Sequence, residues 1–279
     1  MRVIKSVNEM AEAARELRAA GKSIGLVPTM GFLHEGHLSL VRLARKDNDL
    51  AVLSIFVNPT QFGPGEDLQR YPRDVAGDIE KCRREDVGIV FVPGADEIYP
   101  AGFGTHVEVE GISNVLCGAI RPGHFRGVAT VVAKLFGIVR PHRAYFGRKD
   151  YQQTVVVRRM ARDLDIGVEV VVGTTVREPD GLAMSSRNAY LAPDERMAAL
   201  KIYRALASAR GMHESGEKRA DVLASKVKEV LSEEALIKVD YVAVVDPEDL
   251  RPLREVTGKA VLAAAVRIGK TRLIDNVVI

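Results

Sequence analysis

Apolar runs alternate with stretches of three- and four-residue periodicity through the first 172 residues. SIGLVP (23–28), LAVLSIFV (50–57), GIVFVP (88–93), AYFG (144–147) and VEVVVG (168–173) have the length and β-branched content of buried strands. The intervening segments have helical spacing: GHLSLVRLARKDND; DVAGDIEKCRRED, with Val75, Ile79 and Cys82 on one face; RGVATVVAKLFGIV, with Val128, Val131, Val132, Leu135 and Val139 in register; and YQQTVVVRRMARDL. This alternation predicts an α/β, Rossmann-like doubly wound parallel sheet with helices on both faces and ligands beyond the carboxyl ends of the strands. The rhythm breaks at TTVREPDGLAMSSRNAYLAPDE (174–195), which carries two prolines and a PDG turn signal. Beyond it, helices over roughly 194–213 and 219–233 precede strands in KVDYVAVVD, KAVLAAAVRIG and TRLIDNVVI. They predict a second, smaller α+β domain, so the chain divides into residues 1–175 and 176–279.

Composition narrows the function classes. Hydrophobic residues make up 47% of 279 positions, enough for a sizeable core, and 40 Lys and Arg against 37 Asp and Glu leave a formal charge of +3. A dedicated nucleic-acid binder has a stronger basic excess, so no nucleic-acid partner is expected and any affinity for anions is local. Cys82 and Cys117 have no CxxC partner, and the amino terminus lacks a secretory pattern. No apolar run approaches the roughly 20 residues that cross a bilayer. The expectation is a reduced, cytoplasmic protein with no membrane partner.

Several motifs follow directly on predicted strands. In PTMGFLHEGHLSL (28–40), His34 and His37 stand at the predicted start of a helix, near Gly31 and Gly36. A zinc protease helix has its histidines four apart in HExxH, and a catalytic zinc needs a third protein ligand that no spacing marks here. Solvated surface histidines are one remaining reading. A phosphate site is another: free N–H groups and the macrodipole of a first turn stabilise an anion by about 0.3 to 1 kcal/mol, or about 2 kcal/mol when partly buried. Imidazoles would donate to its oxygens, and the glycines would admit it to the backbone.

FVNPTQFGPGEDLQRYPRD (56–74) places the amides of Asn58 and Gln61 at a strand end, where amides can recognise hydroxyls and carboxylates. Its remainder, with Gly63, Pro64 and Gly65, reads as a surface loop or a lid. In YFGRKDYQQ, Lys149 can reach a phosphate, while Gln152 or Gln153 points along a first helical turn, although a Lys–Asp pair is usually a surface feature. Ser185, Ser186 and Arg187 form a possible phosphate cradle, and Arg121, His124 and Arg126 a further basic patch.

PTMGFLHEGHLSLV, IFVNPTQF, CGAIRPGHFRGV, YFGRKDYQQ, VREPDGLAMSSRN and TRLIDN occur in one order. Together they make the chain resemble the pantothenate synthetase family, the pantoate:beta-alanine ligases, from about residue 3 to the carboxyl terminus. HxGH alone points only to the wider superfamily of adenylyl-transferring enzymes. The resemblance implies ATP-dependent ligation of pantoate and beta-alanine to pantothenate, AMP and pyrophosphate through a pantoyl adenylate. Magnesium would be bound mainly through the nucleotide phosphates, with no protein metal site, and the protein would be a homodimer. ATP contacts are implied at Met30, His34, Gly36, His37, Gly147, Lys149, Asp150, Val176, Met184, Ser185, Ser186 and Arg187, with His37 matching a proton donor. Pantoate contacts are implied at Gln61 and Gln153, with Asn58 beside them, and Arg148 carries no role.

The chemistry fits these residue types. Negative charge builds on a pentavalent phosphorus and on departing pyrophosphate, so cationic and N–H donors matter more than a strong base. The catalytic residues expected are His37, His34 and Lys149, with His37 and Lys149 supplying charge. The loop 63–72 is expected to close over the anhydride and the second domain to cap ATP. Competing expectations are a nucleotidyltransferase that keeps AMP on its product, a zinc hydrolase using both histidines, and a nucleotide-binding regulatory module without turnover.

Overall fold

The computed structural model describes residues 1–279. Its first part runs β1 (Arg2–Ile4), α1 (Val7–Ala19), β2 (Ile24–Thr29), α2 (Glu35–Asp47), β3 (Leu50–Ile55), α3 (Val75–Arg84), β4 (Ile89–Phe91), α4 (Ala95–Ile98), α5 (Cys117–Ile120), α6 (His124–Val139), β5 (Arg143–Gly147), α7 (Tyr151–Asp163) and β6 (Glu169–Gly173). These strands form one sheet in the order β1-β4-β3-β2-β5-β6, and all five pairings are parallel. Alternate strand residues serve opposite faces. Leu26, Val52, Phe91 and Phe146 pack with α1, α6 and α7, whereas Val27, Leu53, Val90 and Tyr145 pack with α2 and α3. Burial on both faces explains why the strands read as unbroken apolar runs, each buried Val, Leu, Ile or Phe contributing about 1.5 to 3 kcal/mol.

From β2 the chain winds through β3 and β4 to one side, and it later resumes with β5 and β6 on the other. The crevice beyond the carboxyl ends of β2 and β5 is therefore the topological switch point. Strand β1 and helix α1 precede the alternation read from the sequence; three residues of β1 are too few to show a period. Helices α4 and α5, at four residues each, are likewise too short to show one. The stripe predicted on α3 is rotated: Asp78 and Cys82 are its buried residues, and Val75 is 40% exposed.

The second part contains α8 (Pro193–Glu214), α9 (Ala220–Ser232), β7 (Ile237–Val245), β8 (Val261–Ile268) and β9 (Thr271–Val278). The three strands form a separate antiparallel sheet in the order β7-β8-β9. Along β8, Leu262, Ala264 and Val266 pack with α8 and α9, while Val261 and Ala263 join the core shared with α6 and α7. Both faces of this strand are covered, so VLAAAVRI is apolar without alternation. The smaller sheet thus meets the larger unit through a continuous apolar contact.

Candidate active site

The loop after β2 has an unusual backbone. Gly31 adopts φ +83° and Phe32 φ +51°, and a Cβ on Gly31 would lie 2.9 Å from Ile55 Cγ2. A left-handed phenylalanine costs about 1 to 3 kcal/mol and needs surroundings that hold it. Asp78, fully buried on α3, supplies them: Phe32 N donates to Oδ2 and Leu33 N to Oδ1, each at 2.7 Å. Burial pushes the Asp78 carboxyl up, against the two backbone donors and Lys81. Lys81 also donates to Leu33 O at 2.8 Å. The loop so fixed delivers His34 as the N-cap of α2, and His37 N makes the first helical bond, to His34 O at 2.8 Å.

The two imidazoles stack with ring centroids 4.1 Å apart. A Cβ on Gly36 would sit 3.0 Å from the His34 ring, so this glycine also makes room for an imidazole. Burial, with the positive charge of Lys149 nearby, lowers the His34 pKa to about 4. Burial, then His34 and Lys149, hold His37 well below the ordinary value. Both rings are neutral at pH 7. His37 Nδ1 accepts from His34 N at 3.3 Å, so the His37 proton is on Nε2. The charge role expected of His37 thus falls to a neutral N–H donor rather than to a cationic ring.

At the end of β3, Asn58 is 1% exposed and hydrogen-bonded throughout. Its Nδ2 donates to Gln61 Oε1 at 3.0 Å and to Gly127 O at 3.1 Å, while its Oδ1 accepts from Thr60 and from Tyr99 OH at 2.7 Å. Asn58 therefore orients Gln61, whose Nε2 reaches Met30 Sδ at 3.3 Å. Beyond β5, a short turn, Arg148–Asp150, leads into α7 and presents Lys149. The two glutamines there separate: Gln152 is buried and ties down Ile112, Val115 and Cys117 through their backbone, whereas Gln153 lines the cleft.

The break in the alternation becomes the third wall. Ser185 caps a short turn, Ser186–Tyr190, by accepting from Arg187 N, and Ser186 Oγ donates to Phe32 O at 3.3 Å. Arg187 is clamped to Asp67 by two bonds, at 2.8 and 2.9 Å, and Arg121 is clamped to Glu66 at 2.7 and 2.6 Å. Burial opposes ionisation of Glu66 and Asp67, but the hydrogen bonds and charge of their arginines hold both below the ordinary carboxylate range. The glycine- and proline-containing loop is thus pinned by two bidentate pairs to Arg121 and Arg187, both of which line the cleft. His124 lies beneath it. Arg121 Nη1 is within 3.1 Å of Nε2, which must accept, leaving Nδ1–H to donate to Gln61 O at 2.8 Å. Burial and the Arg121 charge lower its pKa to about 4.

Every residue singled out for ATP or pantoate, from Met30 through Gln61 and Lys149 to Arg187, lines one cleft at the switch point. Arg121 and His124 line it as well, whereas Arg126 is exposed away from it. A second chamber opens beside the first and shares Arg121, His124, Lys149, Asp150, Gln153, Ser185 and Arg187 with it; its far wall is built from β7, β8 and β9. No three His, Cys, Asp or Glu side chains are grouped to hold a metal, so His34 and His37 have no third zinc ligand. Asp78, Glu66 and Asp67 escaped the sequence reading. Only Asp78 left a signal, a carboxylate three residues after Val75 and four before Cys82 on a stripe otherwise apolar.

The family model described as Pantoate-beta-alanine ligase matches residues 2–278. A pantothenate synthetase of Moorella thermoacetica is 53% identical over 279 residues, covering 100% of this chain and 98% of that protein. A crystal structure of pantothenate synthetase from Thermus thermophilus superposes with a TM-score of 0.95 at 48% identity and covers 99% of each chain. A pantoate-beta-alanine ligase from Francisella tularensis, complexed with beta-gamma ATP and beta-alanine, has a TM-score of 0.81 at 35% identity, covering 99% of this chain and 97% of that one.

Proposed function

Because the chain belongs to the pantoate-beta-alanine ligase family, we propose that it joins (R)-pantoate to beta-alanine in this cleft through a pantoyl adenylate. A carboxylate is a poor acyl donor because its oxygen would have to leave as oxide. In the first step the pantoate carboxylate attacks the α-phosphorus of ATP; a C(O)O–P bond forms and the bond to pyrophosphate breaks. In the second, the free amine of beta-alanine attacks the acyl carbon, the amide forms with loss of the amine proton, and AMP leaves.

The observation that carries this reading is the convergence of His34, His37, Lys149 and the Ser185–Arg187 turn on one cleft that also holds Gln61 and Gln153. Lys149 brings positive charge to the transferring phosphate, and His37 Nε2–H donates to its oxygens. The N–H groups of Glu35 and Gly36, at the start of α2, add the first-turn dipole. Gln61 and Gln153 hold pantoate without placing a second negative charge beside its carboxylate, and Asn58 sets the orientation of Gln61. Orientation of this kind can recover roughly 7 to 11 kcal/mol of a bimolecular barrier. Met30, Gly147, Val176 and Met184 complete the ATP contacts. Magnesium carried on the nucleotide phosphates would help neutralise their charge, and Asp150 would be the cleft carboxylate able to face it. The smaller unit, from residue 176 onward, caps the nucleotide. As the family resemblance implies, the protein is a cytoplasmic homodimer.

Beta-alanine and the ATP compound held by the Francisella relative support these two substrates. The deciding experiment incubates the protein with ATP, magnesium, D-pantoate and beta-alanine and follows the products by mass spectrometry. Pantothenate, AMP and pyrophosphate are expected in equal amounts, with pyrophosphate released before beta-alanine is added. A product that retains AMP, or ATP binding without turnover, would reject the proposal.

A further inference from the structure

Asn276 lies on β9 within TRLIDN, a stretch to which the proposed chemistry gives no role, and it is 4% exposed. Its Nδ2 donates to Arg148 O at 3.0 Å and to Lys149 O at 2.9 Å. These carbonyls belong to the turn that presents Lys149, and together they use both protons of the amide. The adjacent Asp275, also 4% exposed, accepts both arms of the Arg177 guanidinium at 2.6 and 3.0 Å. Arg177 lies 3.7 Å over the Tyr203 ring and bridges to Ala183, just before Met184–Arg187. Two consecutive residues of one strand therefore brace the two backbone segments that bring Lys149 and Arg187 to the cleft. The strand is itself anchored in the smaller sheet, where Asp275 pairs with Ala264 and Asn276 with Ala263.

We propose that Asn276 is a positioning residue for Lys149, so that the smaller sheet sets the place of the lysine that meets the transferring phosphate. A neutral amide is the side-chain group of this size that offers two donors to two carbonyls. An aspartate would set carboxylate oxygens against the carbonyl oxygens, and an alanine would leave the turn untied. Asn276 touches no reacting atom in this account; it acts through Lys149. The inference rests on the adenylate-forming reading above.

The test is a double-mutant cycle read as single-turnover pyrophosphate release from ATP, magnesium and pantoate. Asn276→Ala is expected to slow release at least tenfold in the otherwise unaltered protein, yet less than twofold in a Lys149→Ala background, because the lysine is already gone. Asn276→Asp is expected to be slower than Asn276→Ala, and Asn276→Gln, which keeps the amide, faster. An unchanged rate in Asn276→Ala would overturn the proposal. So would an equal loss in both backgrounds, which marks a structural role independent of the lysine. If Asn276→Ala does not fold, Asn276→Ser is put through the same cycle, and failure of both to fold assigns Asn276 to stability and likewise overturns the proposal. A protein that releases no pyrophosphate with pantoate in any form sinks the ligase reading instead. The cycle is then read from ATP affinity by calorimetry, with the same non-additivity expected.

Discussion

An imidazole stripped of solvent beside an ammonium group stays neutral, and one that accepts a backbone N–H at Nδ1 has its proton on Nε2. His37 meets both conditions. A proton is therefore available for donation at pH 7 without a charged ring, and raising the pH from 6.5 to 8 should not diminish kcat/KM through loss of a histidine proton. His37→Ala and Lys149→Ala are each expected to slow pyrophosphate release at least about tenfold, equivalent to about 1.4 kcal/mol. Stopped-flow release at the wild-type rate would remove that residue from the mechanism. Asp78 lies outside the chemistry but shapes it. Asp78→Asn replaces one of two acceptors facing Phe32 N and Leu33 N by an NH2 group. Stability should fall by about 1 to 3 kcal/mol in urea unfolding, and the ATP affinity of the remaining folded protein should weaken severalfold. Retention of both stability and affinity would show that the loop holds its left-handed backbone unaided.

The connection from β3 to α3 is fastened by charge. Glu66 and Asp67 lie in consecutive positions and each engages an arginine from a different segment, Arg121 before α6 and Arg187 after the Ser185 cap. Exposed ion pairs contribute little, but these four side chains are largely buried and the pairing is bidentate. Removing both acids as Glu66→Gln with Asp67→Asn should loosen the loop and admit water to the anhydride. The expected signature is uncoupling: AMP formed in excess over pantothenate, measured in one chromatographic run, with the unaltered protein near one to one. A ratio that stays at one would mean the loop does not exclude water. The same connection continues into α3, so it ends in the helix whose Asp78 and Lys81 grip the histidine loop.

Across the whole molecule, acid is the expected weakness. His34, His37 and His124 all have pKa values below the ordinary 6.5 in the folded protein, to about 4 for His34 and His124. Between pH 6.5 and about 4 the unfolded chain takes up protons that the native state refuses, so stability is full above 6.5 and declines as the pH falls. The melting temperature should drop across this window, and the paired replacement of His34 and His37 by Asn should flatten the decline. An equally steep decline in that variant would place the acid sensitivity elsewhere. How the parts of the molecule meet was only partly legible in the sequence. Unbroken apolar runs such as LAVLSI and helical stripes such as Val128 to Val139 determined the doubly wound sheet, because strands buried on both faces and helices buried on one leave periodicities local enough to read. The motifs that follow β2, β3, β5 and β6 likewise marked residues that gather at the strand ends. Tertiary structure alone decided that Asp78 clasps the loop before His34, that Glu66 and Asp67 take the arginines, that Asn276 reaches the Lys149 turn from more than a hundred residues away, and that both histidines are neutral. Those outcomes depend on partners far apart along the chain and on the removal of water, and neither leaves a spacing in the residues themselves.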